Sequence, residues 1–494
     1  MSTLTSTLRT KGLLSLPGVT NRTRKAAEEL IAKDLRNHHC YFRTAGLHNH
    51  LSHHILAAYD LGAQHGLLRK IYDDEVKIQR PIVLEDKDKT IEITQDNWKQ
   101  YLGNANAYNG FFNFFSAQVQ DIGIVNTLER YIFSPSANEK GSSMLVRLMS
   151  GALHPFIQLG YGVEFNDGLI VSAGLAQTAI HRPLPESLFD IKFLGSPAQS
   201  AEESAPRQRS TKGVSLLEII RQVYESPVLK PVMPYDPNAL ISVRQRDALK
   251  DGREQEIKRI CSQYHIDESR GEEEFSEKIE ELIWVSTLLL FGTGKEGRKP
   301  RLDFFLMHLV TSSFFFKAYF RVLTNPAHKV ALLHAYLPTI PLLMMTRGRP
   351  IIKPDLLMVY TPEPRPPIPG SRVFKMDKSA IGNPGEDDDY NPWPAMTESV
   401  IYAPDSHVLK TMRTLIFAAQ NYGDVPPGGA IGAFQADSKT KVETLAGTSR
   451  MDGSIFVRAA GMLMDSLGWV TYGQSAKDWD RSALGWDEAW DDGE

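Results

Sequence analysis

Apolar residues recur along this chain at helical spacing far more often than they alternate. Ala and Leu at that spacing in RKAAEELIAKDL predict a helix over 24–35. A second helix is predicted over 48–61, stopped by Gly62. VSAGLAQTAIH (171–181) reads the same way, and charged helices follow over 241–285, merging into IEELIWVSTLLLF. Further helices are expected over 303–323 and 327–346, and a last amphipathic one over 405–422. Between them lie segments that cannot be helical or need not be. SPAQSAEESAPRQRSTKG (196–213) is polar and reads as a surface loop or disordered insertion. TPEPRPPIPGS (361–371) must be extended, because its prolines lack the amide a helix needs. The expected fold is mainly α: one large helical domain over 24–475 with long loops and little sheet. A flexible tail (1–23) precedes it and an acidic tail with three tryptophans (476–494) follows.

Composition narrows the partners. Of 494 residues, 42% are hydrophobic and 23% charged, which suits a large globular core. The net charge of −4, from 55 basic and 59 acidic residues, gives no reason to expect nucleic acid or an anionic membrane. Cys40 and Cys261 cannot make a disulfide framework. MSTLTSTLRTKGLLSLPG lacks an apolar run of signal-peptide length, and no stretch suggests a membrane span of roughly 20 apolar residues. A reducing, cytoplasmic setting is expected.

Histidine carries the chemistry. Seven of the 14 histidines fall between His38 and His65, centred on GLHNHLSHHILAAYDLGA. On a helix His50 lies one turn from His53 and His54, so two imidazoles can point the same way, and neutral imidazole ligates iron, zinc and copper. The plainer alternative is a set of histidines that hydrogen-bond a half-exposed helix start. His154, His181, His308 and His334 stand singly in apolar surroundings, where a histidine is usually a satisfied core residue. His308, between Met307 and Leu309, needs a partner for its nitrogens, and a metal is one. The only His-x-Asp pair, His265 with Asp267, lies in a charged stretch and reads as a surface pair. Any anionic ligand must come from elsewhere. GTGKEG (292–297) formally matches GxGxxG but follows a charged helical pattern and reads as an inter-helix loop, leaving no dinucleotide motif.

HNHLSHHILAAYDLGAQHGLLRKIYDD resembles the questin oxidase-like family, whose early signature is an HNHxxH helix ended by a small-residue LGA stop. The likeness continues through ALHPFIQLGYGVEF, AGLAQTAIH, DFFLMHLVTSS and HVLKTMRTLIFAAQNYG, in order over residues 40–422. The resemblance implies an oxidoreductase that uses dioxygen to cleave the central ring of an anthraquinone-type aromatic polyketide. Members have been described as Baeyer–Villiger-type oxidases, and at least one relative as a non-haem iron dioxygenase with several histidine ligands and a carboxylated lysine. Carried onto this sequence, His50, His53, His154 and His308 match the ligands and Lys410 the modified lysine; His181 and His407 match family positions and rank second. His53 is preferred to His54 on the HNHxxH pattern alone. Fe(II) is the expected cofactor, and the Phe and Tyr residues of 101–115 are expected to hold the substrate. The alternatives are an NADPH-dependent Baeyer–Villiger-type oxidase without an essential metal, and a helical ligand-binding protein without chemistry.

Overall fold

The computed structural model describes residues 4–42, 47–189, 214–231, 233–367, 377–388, 390–436 and 440–491. Among them the chain is mainly α, and the one sheet is a two-stranded antiparallel pair, Tyr41–Phe42 with Leu47–His48. The polar stretch 196–213 lies outside the described residues, as do residues 368–371 of the proline-rich segment; 361–367 are non-helical.

Most predicted helices are present with shifted ends. The first runs Asn21–Asn37, where the Thr20 hydroxyl accepts the Thr23 amide and so satisfies an orphan donor of the first turn. The second runs only Leu51–Asp60: His48 stays in the strand, and His50 occupies the residue before the helix. The stretch 241–285 is cut into Ile241–Ala248, Arg253–Cys261 and the long Glu272–Phe291. GTGKEG follows that last helix as a loop, with Gly292 at its C-terminus and Gly297 in the left-handed region. Cys40 and Cys261 are both free and buried.

Three expectations need correction. Residues 4–20 of the expected flexible tail are packed, because buried carboxylates capture the chain. Asp167 accepts from Ser6 Oγ (2.7 Å) and the Thr7 amide (2.6 Å), while Asp60 and Glu164 take the amides of residues 13–15. The acidic end is likewise tucked in: Trp479 and Trp490 are buried, and one hydrophobic core extends from Leu8 to Trp479, past both expected domain boundaries. Finally, Pro326–Thr346 is long and apolar enough to cross a membrane by length and composition. It is, however, broken between Tyr336 and Thr339, and 94% of the window is buried within the fold.

Three helices frame the polar interior of the bundle: Leu51–Asp60, His154–Glu164 and Ser406–Tyr422, with the short Met307–Ser313 helix packed beside them. All four are buried nearly throughout, so a polar side chain on their inner faces cannot fall back on bulk water.

Candidate metal centre

The local chain geometry aims each histidine. Before His154, Gly151, Ala152 and Leu153 all have positive φ (56°, 52° and 67°), a conformation that costs about 1–3 kcal/mol at each non-glycine residue. That turn brings the Gly151 carbonyl onto His154 Nδ1 at 2.6 Å. It also requires glycine, since a Cβ at 151 would stand 2.6 Å from His181 Nε2. Asp303 Oδ1 receives the amides of Phe305 and Leu306, and one turn later His308 Nδ1 meets the Phe304 carbonyl at 2.8 Å. Asp405 opens the Ser406–Tyr422 helix, and one oxygen accepts both the His407 amide (2.9 Å) and His407 Nδ1 (2.7 Å).

A carbonyl or carboxylate can only accept, so Nδ1 of His154, His308 and His407 carries the proton and each Nε2 keeps its lone pair. Those lone pairs face one another. The ligand nitrogens of His50, His154 and His407 all lie within 4.8 Å of one another, with His50 Nε2 2.9 Å from His154 Nε2. The His308 ring centre is 4.7 Å from that of His154 and 5.3 Å from that of His407. Nε2 of His308 and of His407 is buried without a hydrogen-bond partner, and so is Nζ of Lys410.

Burial is the main influence on every one of these groups. It pushes His50, His53, His154 and His308 well below the ordinary imidazole range, with Lys410 and neighbouring histidines adding to the effect. His407 is lowered for the same reason, opposed by Asp405. Lys410 is only 3% exposed, and desolvation lowers its amine to about 7 against the pull of Asp405 and Glu75. The cluster is therefore a set of neutral nitrogens around an amine that is half neutral at physiological pH.

The structure brings His50, His154, His308 and Lys410 together, and it places His407, ranked second, in the innermost group. His53 stands at the edge: its Nε2 bonds Gln158 Oε1 at 2.7 Å, leaving only Nδ1 free. His54 is turned away onto Glu75 at 3.0 Å. His181 forms an outer layer, with Nδ1 on the Gln177 carbonyl and Nε2 facing His48 Nε2 (2.8 Å) and the Tyr41 hydroxyl (3.3 Å); the His48 ring in turn stacks on His154 at 3.8 Å. Lys410, which the resemblance matched to the modified lysine, is buried. Of the aromatic run, Phe111, Phe112, Phe114 and Phe115 are buried in the core, the last two edge-on to Tyr131, while the Tyr108 ring lies 4.6 Å from that of His39. Phe304 stands against the cluster itself, with its ring 5.1 Å from both His308 and His407. Asp405 and Gln158 were missed by sequence reasoning; the DSH tripeptide opening a helix was the available signal for Asp405.

Known proteins resemble this chain in sequence. A family model described as questin oxidase-like matches residues 47–415. The chain is 29% identical over 290 residues to a questin oxidase of Aspergillus fumigatus, covering 58% of this chain and 62% of that protein. It is 31% identical over 314 residues to the Baeyer-Villiger monooxygenase AacuH of Aspergillus aculeatus (62% and 64%). Identity is also 31% over 311 residues to the oxidoreductase AflY of Aspergillus parasiticus (61% and 59%). The similarity thus spans about six tenths of the length of these relatives.

Proposed function

The chain belongs to the questin oxidase-like family, and from that premise we propose that it is an oxidoreductase using dioxygen to open the ring system of an anthraquinone-type aromatic polyketide. In this reading the reaction takes place at a non-haem iron held by His50, His154, His308 and His407 with Lys410, and His53 alongside. The observation that carries it is the convergence of the Nε2 atoms of His154, His308 and His407, each fixed by an acceptor on Nδ1, with those of His308 and His407 buried and meeting no protein donor. Metal-binding histidines are oriented by such outer hydrogen bonds, and an unmet buried acceptor costs about 1–3 kcal/mol, so structural histidines would not be arranged this way without a ligand. The names of relatives, questin oxidase and Baeyer-Villiger monooxygenase, support oxidative chemistry.

The donor set fits a first-row transition metal, for which neutral imidazole is a preferred ligand. It lacks an anion, because Asp405 is engaged by His407. Lys410 can supply one. At an amine value of about 7 a large neutral fraction exists at physiological pH, and its lone pair can attack carbon dioxide, forming an N–C bond and releasing a proton. The product is a carbamate whose oxygens serve as a carboxylate. Iron bound there would supply the one-electron chemistry by which dioxygen reacts with an organic ring. The chain holds the rings in place through Asp405 and the carbonyls of Gly151 and Phe304. The Phe304 ring lies 5.1 Å from that of His308, and Tyr161 stacks on His53 at 5.1 Å, so apolar ring faces flank the cluster on two sides.

Elemental analysis of the purified protein should find close to one iron per chain. Oxygen uptake with a hydroxyanthraquinone should follow that iron, fall in carbon dioxide-free buffer and return with bicarbonate, while Lys410→Ala responds to neither. The Baeyer-Villiger names of several relatives favour a second reading, an NADPH-dependent oxidase. Turnover that needs NADPH and survives chelation would establish that reading and sink the first.

A further inference from the structure

Three of the four imidazoles at the cluster are aimed through Nδ1, by the Gly151 and Phe304 carbonyls and by Asp405. His50 is held differently. Among the described residues its ring has one polar contact, Nε2 against His154 Nε2. It stands at the residue before the Leu51–Asp60 helix, at φ −109° and ψ 3°, and its side chain caps nothing. With no acceptor behind it, the ring takes its aim from the backbone that carries it, and Asn49 fixes that backbone. The Asn49 amide donates to the Cys40 carbonyl at 2.8 Å. Asn49 Oδ1 accepts the Leu51 amide at 2.9 Å, an Asx turn that satisfies an orphan donor of the helix start. Asn49 Nδ2 donates to Asp34 Oδ1 at 3.0 Å. Asp34 comes from the last turn of the Asn21–Asn37 helix, is fully buried, and takes His38 Nδ1 on the same oxygen at 2.9 Å. The middle residue of the HNHxxH motif is thus bonded on three sides. The histidines flanking it reach His154 by different routes: the His48 ring stacks on it at 3.8 Å, and His50 Nε2 faces its Nε2 at 2.9 Å.

We propose that Asn49, anchored by Asp34, is the positioning residue for His50. It does through the backbone what Gly151, Phe304 and Asp405 do for the other three rings through Nδ1. The proposal rests on the metal reading of the cluster, to which it adds how the fourth imidazole is held. The chemistry of the position selects asparagine. One short side chain must offer an acceptor to the Leu51 amide and a donor to the Asp34 carboxylate. A carboxamide supplies both on separate atoms. Aspartate has no donor and would set a second carboxylate against Asp34, and serine has a single oxygen for two partners that lie on different sides. The arrangement also crosses the chain: Asp34 belongs to the first helix and Cys40 to the turn after it, so the aim of His50 is tied to the packing of that helix against the second.

Affinity for Co(II), read on the purified metal-free full chain from the d–d absorption of cobalt, tests this without turnover. Asn49→Ala should weaken binding about 10- to 100-fold, the usual cost of losing a group that orients a ligand. In a His50→Ala background the same change should cost less than about twofold, because a group that acts through His50 has nothing left to act on. A residue that merely supports the fold would cost the same in both backgrounds, and that result overturns the proposal. A crystal structure of Asn49→Ala should show His50 Nε2 moved away from His154 Nε2, with His154, His308 and His407 in place. An unmoved His50 overturns the proposal equally. Asn49→Asp should lose affinity as Asn49→Ala does, and adding Asp34→Asn, which exchanges donor and acceptor across the same bond, should restore it. A swapped pair that folds and recovers nothing overturns the proposal, and it decides the matter if Asn49→Ala does not fold. Absence of any bound metal in the wild type would sink the metal reading instead, leaving the position of His50 in the crystal to decide on Asn49.

Discussion

Two ends of the same helices differ in how they treat buried polarity. At one end His50, His154, His308, His407 and Lys410 turn nitrogens inward and leave several without partners. Across the bundle, where Leu51–Asp60 and His154–Glu164 end, Asp60 and Glu164 close on Arg413, and all three are at most 1% exposed. The backbone amides of residues 13–15 add further donors to those two carboxylates. Both ends are largely buried and both are polar. The ion cluster is arranged for cohesion, with one guanidinium between two carboxyl groups and a strap of amides over them. At the histidine end the like partners are mutually unsatisfying until something else arrives. A buried polar group left unpaired costs about 1–3 kcal/mol, and several such nitrogens aimed at one point mark a candidate place for a ligand.

The largest effect expected is on the open end. His308→Ala should lose the metal and essentially all oxygen uptake, measured by elemental analysis and an oxygen electrode, with the metal-free protein no less cooperative in thermal unfolding. A destabilisation as large as that of a core truncation, about 2–5 kcal/mol, would mean that His308 is a packing residue and would erase the contrast. Arg413→Met at the closed end should cost about 3–5 kcal/mol in denaturant unfolding, because it strands two buried carboxylates. A cost below about 1 kcal/mol would show that Asp60 and Glu164 are not held by charge.

Acidity gives a finer test. Glu164 is raised from 4.5 to about 7 in the folded chain, so between those values the folded state holds a proton that the unfolded state has released. Its contribution to stability is complete below about pH 4.5 and is lost as pH rises through about 7. Unfolding curves across that window should therefore show a decline in the wild type that Glu164→Gln flattens; identical slopes would refute the assignment. The smallest effect is expected at the rim. Arg481 lies 4.2 Å from the centre of the Phe304 ring, and Arg481→Ala should cost only about 0.5–1 kcal/mol, since the guanidinium is exposed. A larger loss, read in the same unfolding assay, would mean that Arg481 holds Phe304 against the histidines.

Much of this protein is legible from its residues taken in order. Helical periodicity depends only on neighbours three and four apart, so the helices at 21–37, 168–180 and 406–422 follow from local pattern, and only their ends move. The density of histidine between His38 and His65, the five family blocks and the failure of GTGKEG as a nucleotide loop are likewise properties of the string. What the string cannot carry is which nitrogen faces which. His50, His154, His308 and His407 meet only after four helices pack, and the tautomers of His154, His308 and His407 are set by acceptors, Gly151, Phe304 and Asp405, whose positions depend on a turn or a helix start. The same packing buried Lys410 and sent Phe111 and Phe115 into the core. It also pinned residues 4–20 to carboxylates far along the chain. Local spacing places a side chain on a face; tertiary packing alone decides what that face meets, because burial energy and hydrogen-bond satisfaction are settled between segments distant in sequence.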